Sequence, residues 1–241
     1  MNFSFLPAGI SQEAADKILE VINVFETSTK EGKYDAWVSY KDFTYNQQKH
    51  KQITYGRSQT TEFGNLKKLI EMYIDAGGTY ADGLRPYLPQ IGKIIGNTPQ
   101  SLWEDLTLKK MLKDTANLDV TMRITQDIFF DRYYFQPAVA FFTHHQFTHP
   151  LSLLVIYDSF VHSGGVPSFL RQRFSEVPPL LGGNEKRWIK QYVDVRFEWL
   201  SNHSTQLLRN TIYRPELFQR LISDDNWKLE KPFITQGMNF I

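Results

Sequence analysis

At 241 residues the chain is long enough to bury a sizeable core without covalent staples, and its lack of cysteine excludes disulfides, thiolate metal sites and a cysteine nucleophile. Lys plus Arg at 27 against Asp plus Glu at 26 gives a formal net charge of +1, so no overall field draws it to nucleic acid or to a membrane surface. Aromatic residues at 15% supply core volume and also flat faces on which sugar rings can stack.

The opening stretch MNFSFLPAGISQEAAD has no basic region and no sustained apolar run, so it does not read as a secretory leader. Nowhere do about 18 uncharged apolar residues follow one another, as a membrane span requires. A site of action outside the cell, in the periplasm or at the wall, would then imply a leader already removed or delivery by another route.

Ser11 before Gln12, Glu13, Ala14 and Ala15 reads as an N-cap with acid in the first turn. Ala15, Ile18, Ile22 and Phe25 then recur at helical spacing up to Thr27. AWVSY and QITYG carry the bias of short strands, with polar DFTYNQQKHK between them, so residues 34–62 are predicted to form a hairpin or small sheet with a basic tip at Lys49, His50 and Lys51. From Gly64 the helical period resumes through Leu66, Leu69, Ile70, Tyr73 and Ile74, and Gly77-Gly78 stops it.

Helical patterns follow over 99–114, 118–133, 136–146, 149–162, 166–175, 184–201, 203–211 and 214–222, punctuated by GGTYADG, SGGVP and VPPLLGGN. The run HPLSLLVIYDSFVHSGG is apolar around its whole circumference and belongs in the middle of a fold. The expected class is mainly α, of α+β type, as one domain over 1–241. A small lobe of first helix and sheet (about 1–79) and a large helical lobe (about 80–241) would flank a cleft.

Two oddities carry chemistry. Glu26 extends the apolar stripe of the first helix and lies in its last turn, where partial burial and the negative end of the helix dipole both favour the protonated form that a general acid needs. The plain alternative is a half-exposed carboxylate at a fraying end. Asp158 sits in the middle of the apolar helix and must have a cationic partner if buried. Arg196, between Trp188, Tyr192 and Trp199 on one stripe, is the natural candidate, and Arg209 could complete the cluster; a purely structural ion pair fits equally.

Other features are weaker. His144, His145 and His149 have no carboxylate spaced to complete a metal site, and no metal or organic cofactor is implied. Ser58 and Ser168 lack a nucleophile-elbow context, and GGTYADG lacks the lysine of a phosphate loop. The run Phe129, Phe130, Tyr133, Tyr134, Phe135 reads as core. Tyr40, Tyr45 and Tyr55 are the better candidates for stacking on a ligand.

In residue types and order, DRYYFQPAVAFF, VIYDSFVHSGG and LLGGNEKRWIKQYVDVRFEWL resemble the chitosanases of glycoside hydrolase family 46 over most of the chain. VFETS followed by ITYGRSQTTEFGNLKKLI is similar both to that family and to a looser group of lysozyme-like peptidoglycan hydrolases. The resemblance implies a lysozyme-like fold and an inverting endo-hydrolase of a β-1,4-linked amino-sugar polymer, with chitosan favoured. It implies that Glu26 is the general acid, that Thr54 helps hold the attacking water, and that Asp158, Arg196 and Arg209 link Glu26 to the core. Arg57, Glu62 and Asn65, in the same stretch, are candidate substrate contacts, with Glu62 exposed or touching sugar.

The chain also departs from the family. Where the chitosanases carry an Asp-containing turn before the threonine strand, this chain reads NQQKHKQIT, so Asp42 is the candidate base and Glu62 the weaker one. The basic tip suits a less cationic glycan, which keeps peptidoglycan open as substrate. A non-catalytic glycan-binding relative and an antibacterial effector with an immunity protein as partner are the rival readings. A monomer is expected, with no nucleic-acid or membrane partner.

Overall fold

The computed structural model describes residues 3–57 and 59–241; Ser58 lies outside the described residues. In chain order the main elements are α1 (Gln12–Thr27), β1 (Trp37–Tyr45), β2 (Gln48–Tyr55), β3 (Thr60–Thr61), α2 (Leu66–Asp75), β4 (Ile94–Ile95), β5 (Thr98–Pro99), α3 (Leu106–Leu118), α4 (Val120–Phe130), α5 (Gln136–His144), α6 (Pro150–Ser163), α7 (Glu185–Ser201), α8 (Tyr213–Ser223), β6 (Phe233–Thr235) and β7 (Met238–Phe240). The expected class, mainly helical with small antiparallel sheets, is what the chain adopts.

Contacts gather the chain into two compact units, Met1–Lys30 with Asp131–Ile241, and Glu31–Phe130. This division differs from the one expected near residue 79. Helix α1 belongs with the C-terminal helices because its buried stripe packs on α6, while α2 and α4 pack together beside the sheet.

In the first unit α6 is the central element. Its residues from Pro150 to Ser159 are all buried, and it packs against α1, α5, α7 and α8. Its N-terminal end is satisfied from another helix: the Glu185 carboxylate accepts from Thr148 N at 3.0 Å, His149 N at 2.9 Å and the Ser152 hydroxyl at 2.6 Å. Gly164, at φ +71°, closes its C-terminal end in the left-handed region. Helix α1 starts as its sequence predicts, with the Ser11 hydroxyl accepting from Ala14 N at 3.1 Å. Ala15, Ile18, Leu19, Ile22 and Phe25 are buried. At about 25 cal/mol per Å² of apolar surface, that stripe is what fixes the helix in place.

In the second unit the antiparallel sheet runs β1-β2-β3. The β1–β2 turn is Asn46-Gln47, both at positive φ (47° and 63°), the geometry a tight two-residue hairpin demands. The β1–β2 register shifts between Lys41 and Phe43, leaving Asp42 as the extra residue of a β-bulge. Ile53 and Tyr55 are buried, and the Tyr55 hydroxyl donates to Leu112 O of α3 at 2.6 Å.

Several predicted segments are shorter than the periodicity suggests. The helix expected from 99 begins at Leu106, where Asp105 caps it by accepting from Leu108 N at 2.8 Å; Pro99 is paired in β5. Segments 166–175 and 203–211 contain only the short helices Ser168–Arg171 and Gln206–Arg209. The β6–β7 hairpin went unpredicted; its turn is marked by Gln236 and Gly237, both at positive φ.

Candidate active site

The first unit holds a chain of charges that starts at α1. Glu26 presents a side chain 11% exposed, and Arg214 Nη2 donates to its Oε1 at 2.7 Å. The other arm of the same guanidinium, Nη1, donates to Asp158 Oδ1 at 2.7 Å. The second oxygen of Asp158 lies 2.6 Å from Arg196 Nη1, with both side chains fully buried. That last contact is a close ion pair without hydrogen-bond alignment. Carboxylate, guanidinium, carboxylate and guanidinium thus alternate from α1 through α8 and α6 to α7, and the formal charges cancel.

Burial alone would push the Asp158 carboxyl up; the Arg196 and Arg214 guanidiniums outweigh it and hold it below the usual carboxylate range. Tyr213 completes the setting by donating its hydroxyl to Phe25 O at 3.0 Å, and the Arg214 guanidinium lies 5.1 Å from the centre of the Phe25 ring. His162 borders the same cluster. Burial, with the Arg214 and Arg196 cations beside it, brings its imidazole down to about 3, so it is neutral over the ordinary pH range.

The predicted pairing of Asp158 with Arg196 is present, but Arg209 does not join it. Its guanidinium is spent locally, donating to His203 O, to Ser204 O at 3.0 Å and to Gln206 Oε1, because it ends a four-residue helix and ties off its own loop. The partner that sequence reasoning missed is Arg214, only 4% exposed. Its signal was legible: Arg214, Leu217, Phe218 and Leu221 form one buried stripe of α8, so this arginine faces inward.

The second unit carries the other candidates. Asp42, at the bulge, is exposed and accepts from Gln52 Nε2 at 2.8 Å, while Gln52 Oε1 accepts from Phe63 N at 3.2 Å. The amide therefore fixes the carboxylate relative to the loop after β3. Thr54 is two residues along β2 from Gln52, hence on the same face. It is 4% exposed, and its hydroxyl has no protein partner among the described residues, the condition under which a bound water stabilises most.

Tyr40 is exposed (41%), Asn65 is exposed and Tyr45 half-buried, so each can touch a ligand. Three expected contacts are framework instead. Tyr55 is fully buried and bonded to α3, with no face left for a sugar. Arg57 is 1% exposed: its N–H donates to Gln126 Oε1 at 3.0 Å, and its guanidinium pairs with Asp127 and lies 4.7 Å from the centre of the Phe130 ring. Glu62, expected to be exposed or touching sugar, is 1% exposed and accepts from Ile53 N at 3.2 Å, Leu102 N at 2.8 Å and the Ser101 hydroxyl. Burial raises its carboxyl against those hydrogen bonds. All three follow the strand's inward alternation and the turn after it, where a buried polar group must find partners. Among the described residues no cluster of three His, Asp or Glu side chains is placed to hold a metal ion.

The family profile of glycosyl hydrolase family 46 matches residues 20–233. A chitosanase of Bacillus subtilis (strain 168) is 23% identical over 245 residues, covering 96% of this chain and 85% of the relative. Among solved structures, the native chitosanase of Bacillus subtilis MY002 superposes with a TM-score of 0.80 at 22% identity, covering 96% of this chain and 99% of that one. A chitosanase of Gynuella sunshinyii in complex with chitotetraose gives 0.75 at 22% identity, covering 98% of each chain.

Proposed function

The chain belongs to glycosyl hydrolase family 46, and on that premise we propose that it is an endo-hydrolase of chitosan that works by direct displacement with inversion. Glu26 protonates the glycosidic oxygen. A water held by Thr54 and activated by Asp42 attacks the anomeric carbon from the opposite face, as inversion requires. The substrate class is supported by the relatives, one of them a Bacillus subtilis mutant chitosanase complexed with 6 GlcN. Among the described residues no helix is long and apolar enough to cross a membrane; action outside the cell is part of the same proposal, since a glycan polymer is met there.

One observation carries the assignment of the acid. Glu26 is held at 2.7 Å by a guanidinium that is itself anchored to a fully buried carboxylate. That anchor holds the carboxyl in one orientation, which a group that must meet a glycosidic oxygen requires.

Reducing-sugar release with mass spectrometry of the products, from chitosan and from purified sacculi, tests this reading with wild type, Glu26→Gln and Asp42→Asn. Glu26→Gln is expected to lose at least about 100-fold in rate. Retained activity refutes the assignment of the acid, and an unaffected Asp42→Asn refutes that of the base. Sacculi are included because the hairpin tip carries Lys49 and Lys51, which suit a less cationic glycan. Binding of either polymer without cleavage would mark a glycan-binding relative.

A further inference from the structure

Arg196 is the last cation of the chain that begins at Glu26, and its guanidinium is fully buried. Its contact with Asp158 is close but unaligned, and its Nε has no partner among the described residues. The one aligned hydrogen bond that the guanidinium makes among the described residues runs from Nη2 to His162 Nδ1, at 3.3 Å. An arginine can only donate, so this contact fixes the tautomer: Nδ1 is bare and the ring proton sits on Nε2. The Ser163 hydroxyl, 3.4 Å from the same Nδ1, is a more distant donor.

The surroundings also demand that this imidazole stay uncharged. Asp158 lies on its own helix, Arg196 and Tyr192 on α7, Arg214 and Tyr213 on α8, and Glu26 on α1. The four ionic groups already cancel, and a protonated ring would place a third cation beside two guanidiniums. A lysine or a charged histidine here would repel Arg196; an alanine would leave it with no aligned acceptor.

We infer that His162 is a positioning residue, a neutral Nε2–H histidine whose Nδ1 aims Arg196 at Asp158 and so holds Arg214 and Glu26 in register. The inference rests on the proposed role of Glu26 and adds the group that terminates its support. Substitution separates the two ring atoms, because the oxygen of Asn occupies the place of Nδ1 and the amide of Gln that of Nε2.

The test compares steady-state chitosan hydrolysis by wild type, His162→Ala, His162→Asn and His162→Gln across pH, with Glu26→Gln as control. His162→Ala is expected to lower kcat about 10-fold while KM stays within about twofold, and to shift the pH limb that reports the acid. His162→Asn restores kcat to within about threefold and His162→Gln does not. A histidine-ring 15N correlation spectrum of the wild type should show Nε2 protonated. The inference is overturned if His162→Ala keeps wild-type kcat while Glu26→Gln is inactive, if Asn and Gln are equally impaired, or if the ring carries its proton on Nδ1. Full activity in Glu26→Gln would instead bring down the reading of the acid, and the positioning role with it.

Discussion

Replacing Asp158 with Asn removes the only negative charge that the buried Arg196 touches among the described residues, and half of the charge that Arg214 touches there. The neutral amide keeps the shape, so no cavity confuses the result. It leaves a guanidinium with no exposure to water uncompensated, and breaking a buried pair in this way costs about 3–5 kcal/mol. A chain of ordinary stability has about 5–15 kcal/mol in total, so the variant should fold with its midpoint lowered by roughly 10 °C. Urea and thermal unfolding followed by circular dichroism measure this.

The pH dependence supplies a second arm. Because the folded state holds the Asp158 carboxyl below its unfolded value, its contribution is complete above the unfolded value, about 3.9, and is lost as pH falls through the lower folded one. The gap between wild type and Asp158→Asn should therefore be widest near neutrality and close in strong acid. A gap smaller than about 1 kcal/mol at pH 7, or one that does not change with pH, would refute the reasoning that these charges are mutually compensated.

Two further predictions concern the second unit. Burial raises the Glu62 carboxyl above its usual 4.5, so the stability it contributes is complete below the unfolded value and is lost as pH rises through the folded one. Thermal midpoints of Glu62→Gln between pH 4 and 7 should lack this slope, and parallel curves would contradict it. Gly56 has φ +76°, and a Cβ added there would sit 2.5 Å from Gln126 Oε1, the acceptor of Arg57 N. Gly56→Ala should cost about 1–3 kcal/mol, read from urea midpoints; a loss under about 0.5 would mean that the turn relaxes freely.

What was legible in the sequence follows from where one local rule decides. The apolar circumference of 150–159 could only mean a central helix, and the stripe from Ala15 to Phe25, capped by Ser11, could only mean an amphipathic one. Asp158 and Arg196 betrayed themselves by polarity in apolar company. Arg209 and Arg214 were harder to separate: both lie near hydrophobic residues, and which one faces inward depended on where the short helix Gln206–Arg209 ends and α8 begins. Tyr55, Arg57 and Glu62 were placed on the ligand side because they flank Thr54 in sequence. In a strand, however, neighbours point to opposite faces, and a turn residue as polar as Arg57 can be buried if Gln126 and Asp127 receive it. The unit boundary was illegible because α1 is adjacent to the sheet in sequence but packs on a helix more than a hundred residues away.

The irregular step between Lys41 and Phe43 divides the hairpin into a root and an arm. On the root side, Trp37 faces Tyr55 and Val38 faces Thr54; on the arm side, Phe43 faces His50 and Tyr45 faces Gln48. A strand that slips by one residue normally turns every side chain over, but an inserted residue absorbs such a slip locally. A change of length or charge in the arm can therefore be taken up at the bulge while Val38 stays opposite Thr54 at the root.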